Sequence, residues 1–331
     1  MKYTMLLWPH ANVRYQNETL KLAEGELRLM LDVLLPEAEI SAIEVQNLPA
    51  LQIDAPAALD GKVLSALRAH SLLYALFEQR SDGALLPVAG RAEARVGADL
   101  PGILKYKGKT NEMFLQLLIN AALWSGGFAH RAGERLELLD PMCGRGTSLF
   151  VAANRGWNAT GTDVDKRDLG EAERFLKHYF EFHRMKHSLN RESRTVRGGS
   201  VPVTRFEFGA REDGGSSLRL AAADAARVRE TFGKEQFHMI VCDLPYGVQH
   251  GSVGGKPEEL LRRALPAWRE ALKKGGTVAV SFNAQTLRRE KVLRAMEEAG
   301  FEAKRGGAHE GFSHWVEQAV TRDIAVGRRT N

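Results

Sequence analysis

The sequence predicts an α/β protein in which a mostly parallel sheet is covered by helices and preceded by a smaller α/β domain. Three observations predict it. Beyond residue 112, apolar runs of strand length alternate with longer helical patterns, which is how parallel strands joined by crossover helices read. Two polar motifs, Asp140-Pro141-Met142-Cys143-Gly144-Arg145-Gly146-Thr147 and Asp243-Leu244-Pro245-Tyr246-Gly247, each close such an apolar run. Ligands in sheets of this kind bind at the carboxyl ends of strands. Finally, Gly83, Pro87, Gly90, Gly97, Pro101 and Gly102 cluster as turns and a linker. They separate an acidic stretch from a basic one.

Taken in order, residues 3–8 read as a strand and residues 17–35 as an amphipathic helix with Leu20, Leu27, Leu31 and Leu34 on one face. Residues 40–45 and 51–53 are short strands. Asp60 is placed to cap a helix ending near Ala69, and residues 72–77 are strand-like. The second part opens with Lys105-Tyr106-Lys107-Gly108-Lys109-Thr110-Asn111, followed by a helix over 112–124. Strands are expected at 136–139, 159–162, 218–222, 237–242 and 277–282. Helices are expected at 148–155, 166–184, 257–272 and 286–299, with a closing strand pair at 301–304 and 315–326.

With 331 residues and 44% apolar content, the chain can bury an ordinary core. No run approaches the roughly 18 apolar residues of a membrane span, and Met1–His10 lacks the pattern of a signal peptide. Two cysteines exclude a disulfide framework and point to a reducing, cytoplasmic setting. The net charge of +5 is uneven: residues 1–100 carry −4, whereas residues 174–211 alone carry +6. A local excess of that kind suits a polyanion.

The first motif has the chemistry of a cofactor loop. Gly144-x-Gly146 lies between a strand and a helix, where glycine permits a tight turn and close approach of a ligand. Asp163 ends the next strand, 19 residues after Gly144, and can accept hydrogen bonds from ribose hydroxyls. Asp224 ends the third strand, where a carboxylate can accept from an adenine amine. Asp140 either meets the cofactor's amino group or braces the loop. A dinucleotide fingerprint fails, because Thr147, Ser148 and Leu149 follow Gly146. A Walker Gly-Lys-Ser/Thr is absent. S-adenosylmethionine, which has no phosphates, fits one short glycine loop and two carboxylates.

The second motif suits a flat exocyclic amine. Such a nitrogen is a poor nucleophile while its lone pair is conjugated with the ring. A carboxylate accepting one N–H and a backbone carbonyl accepting the other let it turn tetrahedral. Asp243 and the Leu244 carbonyl are placed for this, Pro245 stiffens the turn, and Tyr246 can stack on the base. Cys143 and Cys242 read as buried small residues. His178, His183 and His187 read as part of a basic helix face, so no metal is expected.

Together the motifs resemble class I methyltransferases that modify guanosine N2 in RNA, and among them the THUMP-associated tRNA guanosine-10 N2-methyltransferases. The resemblance covers about residues 105–331, including Gln318-Ala319-Val320-Thr321-Arg322-Asp323-Ile324 near the end. It implies a seven-stranded Rossmann-like class I methyltransferase domain over 105–331 behind a small α/β domain over 1–104, an RNA-binding or THUMP-like candidate. It also implies cofactor binding by Asp140, Gly144, Gly146, Asp163, Asp224 and Thr110, and catalysis by Asp243, Leu244, Pro245 and Tyr246. Two positions depart from the pattern: Arg145 stands where a small residue is usual, and Leu244 where a second proline is common. The 61 residues between Asp163 and Asp224 leave room for a basic β-hairpin insert at about 185–217. The expected activity is methyl transfer from S-adenosylmethionine to guanosine N2 in tRNA. The alternatives are adenine N6 or cytosine N4 in DNA or rRNA, a small-molecule amine, and a non-catalytic RNA-binding protein on the same fold.

Overall fold

A computed structural model describes residues 1–9, 13–209, 215–245 and 256–330. Its residues group into two compact units: Met1–Ala92 with Arg305–Ile324, and Glu93–Lys304 with Ala325–Asn331.

In the first unit, β1 (Lys2–Leu7), β2 (Glu39–Val45), β3 (Leu48–Asp54), β4 (Leu73–Gln79) and β5 (Leu85–Gly90) form an antiparallel sheet in the order β2-β3-β1-β4-β5. Two helices accompany it, α1 (Val13–Leu34) and α2 (Gly61–Arg68). The expected cap holds: the Asp60 carboxylate accepts the Val63 N–H at 2.8 Å. The apolar face of α1 is buried, with Leu27, Met30 and Leu31 essentially inaccessible. Within this core lies a fully buried polar knot, in which Glu26 accepts the Ser71 N–H at 2.8 Å and the Ser71 hydroxyl. β5 falls in a stretch whose glycines and proline read as turns. Its Pro87 is tolerated because β5 ends the sheet order, so one side of its backbone needs no ladder partner.

The boundary expected at residue 104 lies nearer 92, and residues 305–324, expected with the second domain, pack with the first unit. The reason is local. Phe312 is fully buried against α1 at Gly25, where a Cβ would stand 3.3 Å from its ring. Nearby, Lys21 donates to the Ser313 carbonyl at 3.1 Å.

The second unit begins with α3 (Leu100–Ile103) and α4 (Glu112–Trp124). It continues through β6 (Glu137–Asp140), α5 (Thr147–Asn154), β7 (Asn158–Asp163), α6 (Lys166–Phe182), β8 (His187–Val196), β9 (Gly199–Phe208) and β10 (Ser216–Ala222). Then follow α7 (Val228–Phe232), β11 (Phe237–Asp243), α8 (Pro257–Ala271), β12 (Leu272–Asn283), α9 (Arg289–Glu298) and β13 (Glu302–Ala303). β14 (His314–Glu317) belongs to the first unit, and β15 (Val320–Arg328) runs from the first unit into the second. The strands order as β13-β15-β12-β11-β6-β7-β10-β9-β8, with β14 paired to β15. β6, β7, β10, β11 and β12 are mutually parallel. Setting aside the β8–β9 hairpin and β14, this is the seven-stranded Rossmann-like sheet of class I methyltransferases.

The chain steps outward from β6 to β7 and β10, then returns to lay β11 and β12 on the other side of β6. The order therefore reverses between β6 and β11, and a crevice opens at such a switch point. Both motifs end these two strands. The strands can sit there because their side chains suit a sheet covered on both faces: β11 is buried from Phe237 to Cys242. Its core partners include Leu265 and Trp268 of α8 and Val292 and Met296 of α9.

The insert is a hairpin, as expected. Val196 pairs with Gly199 around an Arg197-Gly198 turn, with Gly198 left-handed at φ +81°. β9 pairs antiparallel with β10 as far as Val203 opposite Ala221. Residues 193–202 therefore continue past the carboxyl end of β10, toward the edge that carries the motifs.

Candidate active site

The loop after β6 is fastened at every turn. Gly146 is left-handed at φ +85° and opens α5, and its N–H returns to the Cys143 carbonyl at 2.8 Å. The Cys143 N–H reaches Thr162 O on β7 at 3.0 Å. Beneath the loop, β7 carries Gly161, where a Cβ would stand 2.6 Å from both Cys143 Sγ and Leu149 Cδ1. A glycine inside a strand marks such a close approach, and this contact was not anticipated from the sequence.

Asp140 braces the loop. Its Oδ1 accepts the Met142 N–H at 3.0 Å and its Oδ2 accepts the Ser148 hydroxyl. Burial pushes its carboxyl up to about 7, against these two hydrogen bonds and with help from the charges of Asp163 and Asp243. The folded-state pKa thus lies above the unfolded value, so this group's stabilising contribution is complete below about pH 4. It is lost as pH rises toward 7, because the unfolded chain releases a proton that the folded chain still holds. The cost reaches up to about 4 kcal/mol at 1.36 kcal/mol per unit. Asp140→Asn is expected to gain stability relative to the parent as pH rises from 4.5 to 8, read from urea melts. Parallel stability curves would contradict it.

Asp163 accepts the Gly144 N–H at 2.9 Å on Oδ2 and the Asp165 N–H at 2.9 Å on Oδ1. Burial raises its pKa. One lone pair per oxygen remains for a further donor. Asp224 caps a short 3-10 turn through the Ala226 N–H at 2.9 Å and faces Arg263 at 3.2 Å. Arg145, which departs from the small residue usual there, is engaged locally: Nε lies 2.9 Å from Asp168, and the guanidinium stacks 4.8 Å from the Tyr106 ring. Neither partner was anticipated from the sequence.

Asp243 ends β11 half-buried. Thr110 donates to its Oδ2 at 2.5 Å and Ser281 to its Oδ1 at 2.7 Å. Thr110 thus meets the carboxylate of the second motif. Ser281 was not anticipated, although it is the one hydroxyl in the apolar run 278–282. Leu244 is buried in the core beside β11, and its N–H donates to Ser281 O at 2.9 Å. Pro245 is exposed. Tyr246 lies outside the described residues.

Both cysteines are buried and their thiols are pushed well up by that burial, then by nearby carboxylates. A protonated, enclosed thiol is no nucleophile. His183 stacks on Tyr179 at 4.3 Å and His187 on Phe180 at 5.2 Å. Several insert arginines are paired: Arg191 with Glu173, Arg194 with Glu192 at 3.1 Å, and Arg205 with Glu207 at 2.9 Å. Glu192 and Glu207 are already counted in the net charge of the stretch, so only Glu173 offsets it further. Arg197 stands exposed at the tip, its carbonyl held by Arg227 at 2.6 Å.

A family model described as the RMKL-like methyltransferase domain matches residues 129–310. The chain belongs to this family. Residues 129–310 thus form a methyltransferase domain of this family. The tRNA (guanine(10)-N2)-dimethyltransferase of Methanothermobacter thermautotrophicus is 27% identical over 151 residues, which are 46% of this chain and 33% of that protein. The match thus spans about a third of that relative's length. Two solved structures are similar at low identity. One is a TehB-like SAM-dependent methyltransferase from Corynebacterium glutamicum (16% identity, 61% of this chain, 85% of that one, TM-score 0.38). The other is the magnesium protoporphyrin IX methyltransferase of Synechocystis PCC 6803 (13%, 70%, 88%, TM-score 0.43).

The loop of this methyltransferase fits the cofactor. Among the described residues, a Cβ built on Gly144 meets nothing within 4 Å. Its one cation, Arg145, is turned onto Asp168 and Tyr106. The surrounding carboxylates, Asp163 and Asp243, suit a cationic sulfonium. Gly144, Gly146 and Asp163 would be the residues to hold it.

Proposed function

We propose that this methyltransferase modifies the exocyclic amine of a base in nucleic acid, with guanosine N2 in tRNA as the acceptor. The observation that carries the reading is the Asp243 carboxylate at the switch point, held from both sides by hydroxyl donors beside the glycine loop. The chemistry supplied at that loop is an electrophilic methyl group with a neutral thioether as leaving group. The protein's own part is to place the amine. Asp243 accepts one N–H and the Leu244 carbonyl the other, the nitrogen turns tetrahedral, and Asp243 takes up the proton released once the bond has formed. Orienting the two partners in line is worth up to roughly 7–11 kcal/mol in favourable systems.

Guanine is favoured over adenine or cytosine by the acceptor character of the site. Both oxygens of Asp243 accept from hydroxyl donors, so the carboxylate stands there as an acceptor. Beside its amine, guanine offers a second donor, N1–H. Adenine N1 and cytosine N3 would set lone pair against lone pair. The partial match to a tRNA guanine-N2 enzyme supports the same reading. A base in folded RNA has to leave its stack to reach the pocket. The β8–β9 tip, with exposed Arg197, is the element we assign to the backbone, and its contribution weakens as salt rises. The antiparallel unit at the N-terminus is a second candidate for RNA contact. Buried, unpaired cysteines go with a cytoplasmic setting.

The test uses tritiated S-adenosylmethionine with purified protein and, in parallel, unmodified tRNA, rRNA and duplex DNA, followed by nucleoside analysis. Label in N2-methylguanosine from tRNA is the expected result. Label in N6-methyladenine or N4-methylcytosine would overturn the acceptor, and label in no polymer would overturn the nucleic-acid reading.

A further inference from the structure

We propose that Thr110 and Ser281 are positioning residues that lock the orientation of the Asp243 carboxylate toward the acceptor amine. The inference rests on the role assigned to Asp243 above.

Two hydroxyls from distant parts of the chain converge on one carboxylate. Thr110 lies 133 residues before Asp243 and Ser281 lies 38 after it. Each takes a different oxygen, at 2.5 and 2.7 Å. Rotation about the Cβ–Cγ bond of Asp243 would break both bonds at once, so the pair defines the carboxylate plane.

The two donors are themselves held. Ser281 is fully buried on β12, directly opposite Asp243 in the parallel register, and its carbonyl accepts the Leu244 N–H at 2.9 Å. One residue thus fastens the side chain of Asp243 and the backbone that follows it. Thr110 precedes Asn111, whose Oδ1 caps α4 through the Met113 and Phe114 N–H groups at 2.9 and 3.2 Å. The cap sets where the loop before α4 enters the helix, and hence where the Thr110 hydroxyl points. Without these hydroxyls, Asp243 would share its oxygens between the amine and solvent. A displacement near 1 Å costs on the order of a hundredfold in rate.

The test compares Thr110→Val, Ser281→Ala and the double variant with Asp243→Ala, using full-length protein and unmodified tRNA transcripts. Readouts are kcat, KM for tRNA, S-adenosylmethionine affinity by calorimetry, and Tm. Expected are about tenfold losses in kcat for each single variant and about a hundredfold for the double, with cofactor affinity and KM within about threefold. Thr110→Ser is expected to restore turnover. A lower Tm with wild-type kcat per cofactor-binding site would mean that the hydroxyls only support the fold, and would overturn the inference. Retained turnover in Asp243→Ala would instead overturn the reading beneath it. If tRNA is not a substrate, crystals of the double variant decide: a rotated or disordered Asp243 carboxylate supports the inference, and an unchanged one overturns it.

Discussion

Asp243→Ala is expected to lower kcat by about 10²–10⁴-fold while S-adenosylmethionine still binds within about threefold of the parent. The asymmetry follows from where the side chain stands. Asp243 ends β11 and touches Thr110 and Ser281. The glycine loop is fastened through Asp140 on β6, Gly161 and Asp163 on β7, and its own Cys143. Removing the carboxylate leaves those bonds in place, but takes away the acceptor that pulls the amine lone pair out of conjugation. Asp243→Asn keeps the shape and one acceptor oxygen, and is expected to fall between alanine and wild type. Single-turnover rates with the labelled cofactor, measured beside calorimetric affinities, check both variants. An alanine variant with turnover within threefold of wild type would remove Asp243 from the mechanism.

Gly161→Ala is expected to cost about 1–3 kcal/mol of stability and to weaken cofactor binding at least tenfold. The added methyl would sit 2.6 Å from Cys143 Sγ and Leu149 Cδ1, and 3.0 Å from Cys143 Cβ. Neither neighbour yields easily: Cys143 is pinned by its N–H to Thr162 O at 3.0 Å, and Leu149 is fully buried on α5. The strand would therefore lever the loop away from the Gly144 turn. Adding Cys143→Ala removes one of the two close contacts and should recover part of the loss, a coupling that a double-mutant cycle measures. Equal Tm and cofactor affinity in Gly161→Ala would show that the loop has slack there.

The alternating sheet was legible because its signals are local. Strands covered on both faces read as apolar runs, and Asp60, Asn111 and Gly146 announce helix starts by chemistry confined to a few residues. The hairpin insert was legible from its length and from Arg197-Gly198-Gly199. β5 was not, because an edge strand keeps the Pro and Gly that otherwise mark turns. The return of residues 305–324 to the first unit was not either, since one buried Phe312 at Gly25 leaves no periodic trace. Gly161 carried a weak signal, a glycine inside a strand, that named no partner.

The sequence by itself determined the class of sheet, the two motifs at strand ends and a methyl-donor chemistry without phosphate contacts. Each of these depends on residues adjacent in the chain. Only the tertiary structure decided that Thr110 meets Asp243 rather than the cofactor loop, that Ser281 completes the carboxylate's setting, and that Arg145 turns away onto Asp168 and Tyr106. It also decided that the insert's charges are largely paired and that its tip rises past the carboxyl end of β10. These are contacts between residues far apart in sequence. Strand order and register bring them together, and neither is written in local composition or spacing.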